Sequence, residues 1–188
     1  MDIHRYEKIW IGVSLVFIVG LMASIVYGVV AVGATTVGDS GETVAANDLS
    51  NTTFGDPGGH WASDDHYVVN VVAQQFQFRP GTREPVVVPA NTTVTFRLTS
   101  PDVVHGFEVV GTSVNAMVIP GQVTVATTRF DRPTTYGVVC NEYCGAGHQN
   151  MEGQIVVVPR ETLRNASANG TAASLAAPSA DAPAGGVA

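Results

Sequence analysis

The feature that most limits what this chain can become is a run of thirty uncharged residues, Ile9 to Gly38, made mostly of Val, Ile, Leu, Ala and Gly. A helix needs about 20 apolar residues to cross the hydrocarbon core of a bilayer, so this run can span one. Trp10 sits where an interfacial aromatic belongs, Arg5 and Lys8 precede the run, and Asp39, Glu42 and Asp48 follow it. Positive charge on the N-terminal side predicts a single pass through the plasma membrane, with the N-terminus cytoplasmic and the rest of the chain extracytoplasmic. A cleaved signal peptide is the competing reading, supported by the small residues Ala31 to Ala34. The run exceeds the roughly 7 to 15 residues of a signal core, which favours a retained anchor over residues 1–34. With one such run, the chain is too short for a multi-spanning channel or transporter.

Residues 35–64 are rich in Gly, Asp, Ser, Thr and Asn without periodicity, which predicts a flexible tether. From His66 onward, short β-type runs recur: Tyr67 to Ala73, Glu84 to Pro89, Thr92 to Thr99, Val103 to Val110, Gln122 to Phe130, Thr135 to Val139 and Gly153 to Val158. Strands this short, separated by Pro-Gly, Pro-Ala and Asp-Arg-Pro turns, predict an all-β sandwich over residues 65–160. Residues 161–188 read as a disordered low-complexity tail, too poor in large apolar side chains to offset their ordering entropy. The net charge of −7 argues against a nucleic-acid partner, because phosphate binding needs a basic surface. Lys8 is the only lysine beside eight arginines, a bias that fits a salt-adapted organism.

The chemistry concentrates in Val139-Cys140-Asn141-Glu142-Tyr143-Cys144-Gly145-Ala146-Gly147-His148-Gln149-Asn150-Met151, which holds both cysteines of the chain. Thiolate, imidazole and thioether together are the donor set that copper prefers. The spacings of four, four and three would also align these side chains on a helix. Gly145 and Gly147 argue against one, since two glycines so close cost about 2 kcal/mol of helix propensity. A compact loop between two strands is the expectation.

Each residue also has a plainer reading. Cys140 and Cys144 could form a disulfide outside the cytoplasm, although closing so short a loop constrains little. His148 alone would be an ordinary loop histidine, Met151 a core gap-filler and His105 a structural histidine at a strand start. His60 and His66 have no partner motif and are expected to be solvated. A mononuclear blue-copper site uses one cysteine, so a second thiolate is an excess ligand. Two thiolates can instead bridge two copper ions, each completed by one imidazole and one weak ligand from His105, His148, Met151 and a loop carbonyl. Such a pair suits an electron relay, because it shares the change in bond lengths between two ions and leaves no open position for substrate.

Cys140-x3-Cys144-x3-His148-x2-Met151, with His105 upstream, resembles the dinuclear copper (CuA) motif of subunit II of haem-copper cytochrome c oxidases. The resemblance runs from about Tyr67 to Pro159. Asp102-Val-Val-His-Gly-Phe and the whole cysteine loop are similar to the versions in ba3-type oxidases, and so is a single anchoring helix in place of a helical hairpin. The resemblance implies a cupredoxin-like Greek-key β-sandwich in which Cys140 and Cys144 bridge two copper ions. One ion would take His148 and the backbone carbonyl of Glu142, the other His105 and Met151.

It further implies an electron-transfer subunit of an oxidoreductase complex. Single electrons from a cytochrome c or blue-copper donor would reach the copper pair and pass to haem in oxidase subunit I, where oxygen is reduced. In the common form the carboxylate matching Glu142 also contributes to a magnesium site at the contact with subunit I, whereas a loop-tip carboxylate read by itself is expected to be solvated. Phe76 and Phe78 are what remains of an aromatic-rich segment placed near the electron-receiving surface. Two alternatives share parts of the pattern. A nitrous oxide reductase has the copper motif, but its large His-rich domain has no counterpart here. A membrane-tethered copper-delivery protein would expose Met or His clusters, whereas the external segment has only Met117 and Met151.

Overall fold

A computed structural model of the chain describes residues 4–31 and 36–176. The chain divides into two units, Met1–Ala34 and Thr35–Ala188. The first contains helix α1 (Arg5–Ala31), whose 27 residues reach about 40 Å, more than a hydrocarbon core requires. Side chains all round it, among them Val16, Phe17, Ile18 and Val19, are exposed. A helix that is apolar on every face rather than along one stripe needs an apolar surrounding, which a lipid bilayer would supply. Among the described residues this is the one helix long and apolar enough to cross a membrane. Residues 1–3 and 32–34 of the expected anchor lie outside the described residues.

The second unit is a sandwich of two sheets. One runs in the order β1 (Thr36–Thr43), β9 (Gln122–Arg129), β6 (Thr93–Thr99), β3 (His66–Gln74) and β2 (Gly59–Ser63), with β4 (Gln77–Arg79) folded back on β3. The other runs β5 (Val86–Pro89), β11 (Glu152–Val158), β10 (Thr134–Val139), β7 (His105–Val109) and β8 (Asn115–Val118). Pairing is antiparallel except for β3 with β6 and β5 with β11. Val69, Val71, Phe96 and Leu98 of the first sheet and Phe107, Val109, Val138 and Ile155 of the second are all buried in one core. The Phe107 ring meets Phe78 edge-on at 5.5 Å and Phe96 at 5.4 Å, a geometry that suits the aromatic quadrupole. This is a cupredoxin-like Greek-key sandwich. The expected strand runs correspond to β3, β5, β6, β7, β9, β10 and β11, while β1, β2, β4 and β8 are additional.

Two segments differ from their expected character. Residues 35–64, expected as a tether, contribute β1, β2 and a 3-10 turn at Ala46–Asn51 over their described part, which starts at residue 36. Phe54 is fully buried with Val72 and Val123, and Val44, Leu49 and Val125 pack around them. This second small core covers the outer face of the first sheet, so β3 is buried along almost its whole length instead of alternately. Val44, Leu49 and Phe54 recur every five residues among polar ones, which matches neither the two-residue period of a strand nor the 3.6-residue period of a helix, so no periodic pattern announces them.

Residues 161–176, expected as part of the tail, carry most of helix α2 (Arg160–Ala168) and a 3-10 turn at Ala172–Ala176. Leu163 is fully buried in the main core. The Arg164 guanidinium stacks on Trp61 at 4.6 Å, while Arg160 and Arg164 pair with Asp65 at 3.0 Å and Asp64 at 2.9 Å. Two buried residues three apart, Leu163 and Ala166, seat the helix, too short a pattern to stand out in an alanine-rich sequence. Residues 177–188 lie outside the described residues.

Candidate metal centre

The loop from Cys140 to Met151 joins β10 to β11, and the ladder between those strands fixes its neck. Val138 faces Gly153 and Val139 faces Glu152, and the Cys140 N–H then donates to the Met151 carbonyl at 3.1 Å. The two ends of the loop are thereby held side by side. The loop contains no α-helix, only a 3-10 turn at His148–Asn150, as the two glycines require. His105 opens β7, which pairs with β10 through Val139 and Glu108. Gly106 admits the loop at this point: an added Cβ would lie 1.8 Å from Asn141 Oδ1. Asn141 in turn donates to Asn115 Oδ1 on β8 at 3.0 Å.

These constraints gather the donors. The Sγ atoms of Cys140 and Cys144 are 3.8 Å apart and both thiols are free, so the disulfide reading does not describe this structure. Cys140 Sγ lies 3.9 Å from His105 Nδ1 and 3.1 Å from the Glu142 carbonyl oxygen. Cys144 Sγ lies 3.6 Å from His148 Nδ1 and 3.7 Å from Met151 Sδ. His105, Cys140, Cys144 and Met151 are buried, His148 is half-buried and Glu142 is exposed at the loop tip. All six sequence-derived candidates therefore converge. His105, Cys140 and Cys144 also form the one cluster of three or more His, Cys, Asp or Glu donors found among the described residues, with ligand atoms within 4.8 Å of one another. His60 is exposed on β2, but His66 is not simply solvated, since its Nε2 lies 2.9 Å from Thr95 Oγ1.

The electrostatics favour a neutral Cys144 thiol until a metal arrives. Burial, reinforced by the hydrogen bond with Cys140, pushes the Cys144 thiol up to about 11. The Gly106 N–H points at Cys140 Sγ at 3.4 Å. On the far side of His105, Nε2 is 2.8 Å from Asp102 Oδ1. Burial alone would raise the Asp102 carboxyl. Hydrogen bonds from the Gln75 N–H, the His105 ring, the Val103 N–H and the Ser100 hydroxyl outweigh it and hold the group below the usual carboxylate range. An ionised Asp102 keeps the proton on Nε2 and turns the Nδ1 lone pair toward Cys140, the arrangement that metal-ligating histidines require. The chemistry of this donor set, two thiols, two imidazole nitrogens, a thioether and a carbonyl gathered in one place, fits copper.

Sequence reasoning quoted Asp102 only as part of a motif and gave Gln75 no role. Gln75 N–H donates to Asp102 Oδ2 at 2.8 Å, and its side-chain Nε2 donates to the Cys144 carbonyl at 2.5 Å. Next to it, the Phe76 ring packs on the loop glycines: an added Cβ on Gly147 would lie 2.5 Å from Phe76 Cδ2. Phe78, by contrast, is buried in the core and is not part of the surface.

Comparison with known proteins places the chain in a family. Residues 63–159 match the family described as cytochrome c oxidase subunit II, periplasmic domain. The chain is 37% identical over 166 residues to a cytochrome c oxidase subunit 2 of Thermus thermophilus, covering 82% of this chain and 93% of that relative. It is 34% identical over 118 residues to a heme-copper oxidase subunit 2 of Aeropyrum pernix, covering 57% of this chain and 50% of that relative. A chain in a cryo-EM structure of a heme-copper terminal oxidase dimer superposes with a TM-score of 0.56 at 30% identity, covering 82% of this chain and all of that one. On these grounds the chain belongs to the cytochrome c oxidase subunit II family.

Proposed function

We propose that this chain takes in electrons for a membrane haem-copper terminal oxidase, holding a pair of copper ions and working against oxidase subunit I. The observation that carries the reading is the pair of free, buried thiols 3.8 Å apart with an imidazole nitrogen beside each. Copper, when bound, supplies a one-electron redox couple. Cys140 and Cys144 would serve both ions, His148 and the Glu142 carbonyl one of them, and His105 and Met151 the other. Burial of four of these residues keeps water and substrate from the ligands, which suits transfer of an electron and not of an atom. The same burial opposes the fast ligand exchange that a copper-delivery protein needs.

Helix α1 would anchor the chain with the sandwich on the extracytoplasmic side, as the flanking charges indicate. Val103 and Val104 beside His105, Tyr143 beside Cys144, and Phe76 over the loop glycines are exposed apolar side chains around the site. They offer contact to a cytochrome c or blue-copper donor. The exposed Glu142 carboxylate would meet subunit I, where it would be one oxygen ligand for a magnesium ion at that contact. Electron paramagnetic resonance of the copper-loaded protein tests the central point. One electron shared equally by two copper nuclei gives a seven-line hyperfine pattern, whereas a four-line pattern from a single copper overturns the reading.

A further inference from the structure

We propose that Gln75 is a positioning residue that latches the two ligand-bearing segments to one another, acting from the sheet that carries none of the ligands. The inference rests on the copper-pair reading above and adds to it a residue outside the donor set. Gln75 follows the last residue of β3, in the turn leading to β4. Both strands belong to the first sheet, whereas His105 and the cysteine loop belong to the second. From that turn Gln75 makes two contacts in different directions. Its backbone N–H holds Asp102 Oδ2 at 2.8 Å, and Asp102 Oδ1 in turn stands 2.8 Å from His105 Nε2. Its side-chain amide donates to the Cys144 carbonyl at 2.5 Å.

One residue thus ties the imidazole of one segment, through Asp102, to a thiol-bearing residue 69 positions away in the other. The loop needs such a tie. It contains Gly145 at φ 131° and Gly147, and glycine carries the largest backbone entropy of any residue. Apart from its neck, its internal backbone hydrogen bonds begin at the Gly145 carbonyl, with His148, Asn150 and Met151 as donors. The Cys144 carbonyl lies just before that turn, and Gln75 holds it from outside. The Phe76 ring against Gly147 closes the same contact sterically. Holding Cys144 in place before metal arrives reduces what binding must order, and holding it afterwards slows its departure. Gln75 itself is exposed, so its side chain can be replaced without opening the core.

The test uses the full-length chain with Gln75→Leu, which removes the amide and keeps the backbone N–H to Asp102, and Gln75→Glu, which faces the Cys144 carbonyl with an acceptor. The copper-free protein should stay folded, losing no more thermal stability than one net hydrogen bond accounts for. Copper release to a chelator should be roughly threefold to tenfold faster in both variants, the range expected for one net hydrogen bond. Amide hydrogen exchange from Cys144 to His148 in the copper-free protein should accelerate by a similar factor. Release and exchange both within about twofold of the unsubstituted chain would overturn the latch. If the unsubstituted chain lacks the two-copper spectrum, the copper-pair reading fails by itself, and loop exchange in the copper-free variants still decides whether Gln75 holds Cys144.

Discussion

The Sγ atoms of Cys140 and Cys144 stand 3.8 Å apart in a buried pocket, far beyond the roughly 2.05 Å of a disulfide and close enough to share metal ions. Each has its own flank: His105 and the Glu142 carbonyl lie against Cys140, and His148 and Met151 lie against Cys144.

If the two thiols hold a copper pair as proposed, that arrangement ranks the effects of substitution. Cys140→Ser or Cys144→Ser removes a ligand common to both ions, so at most a mononuclear centre should survive. Met151→Leu removes one weak ligand, so the pair should persist with an altered potential, as weak axial ligands tune related copper sites. His105→Ala should fall between them, because an imidazole binds more strongly than a thioether yet serves one ion. Copper content and hyperfine pattern measured across the series check the order. A Cys144→Ser protein that kept the shared-electron pattern while Met151→Leu lost it would reverse the assigned roles.

Asp102→Asn tests the orientation of His105. The amide keeps the shape of the carboxylate but loses its charge, and its NH2 group can donate to Nε2 and so move the ring proton to Nδ1. Partners of this kind typically change metal affinity by about 10-fold to 100-fold when replaced. Competition against a chelator of known copper affinity should show a loss in that range. Unchanged affinity would mean that the fold alone orients the ring.

The cluster of proposed donors was legible in the sequence because five of the six lie in one stretch of twelve residues, at spacings that only a loop between strands could reconcile with Gly145 and Gly147. His105 became legible through the motif around it. Gln75 was not, since nothing local shows that a turn in the other sheet lands on Cys144. The same limit applied to the fold. Val-rich strands such as β3 carry their own signal, but the side chains that cover its outer face, Val44, Leu49 and Phe54, are recognisable only once the sheet they cover exists. Leu163 is likewise the one large apolar residue in a mostly polar helix until the core receives it.

These covering segments make a prediction about boundaries. A fragment of residues 64–160 keeps every proposed ligand but loses β1, β2, Phe54 and Leu163. It should be markedly less stable than a fragment of residues 36–176. Within the longer fragment, Phe54→Ala should cost about 3–5 kcal/mol and Leu163→Ala about 2–5 kcal/mol, since both side chains are fully buried. Denaturant unfolding of the four proteins decides the matter, and equal midpoints for the two fragments would show that the added segments contribute no stability.

The copper-free protein should lose stability as pH rises from about 9 to 11. Burial and the Cys140 hydrogen bond hold the Cys144 thiol protonated up to about 11, whereas in the unfolded chain it ionises near its ordinary value of 9.0. Between those values the unfolded state has released a proton that the folded state retains, so unfolding gains as pH rises. Below the lower value both states are protonated and the effect is absent. Tyr67, pushed up to about 12 by burial, adds a second decline of the same sign, but only above about 10, so the interval from 9 to 10 isolates the cysteine. Bound copper should reverse the dependence. Its ligands must be thiolates and neutral imidazoles, so protons compete with the metal and the loaded protein should release copper on acidification. Thermal midpoints of the copper-free chain at pH 7, 9 and 10 should fall over the last step, and Cys144→Ser should flatten that fall. Copper content that held through prolonged exposure to pH 3 would contradict thiolate and imidazole ligation.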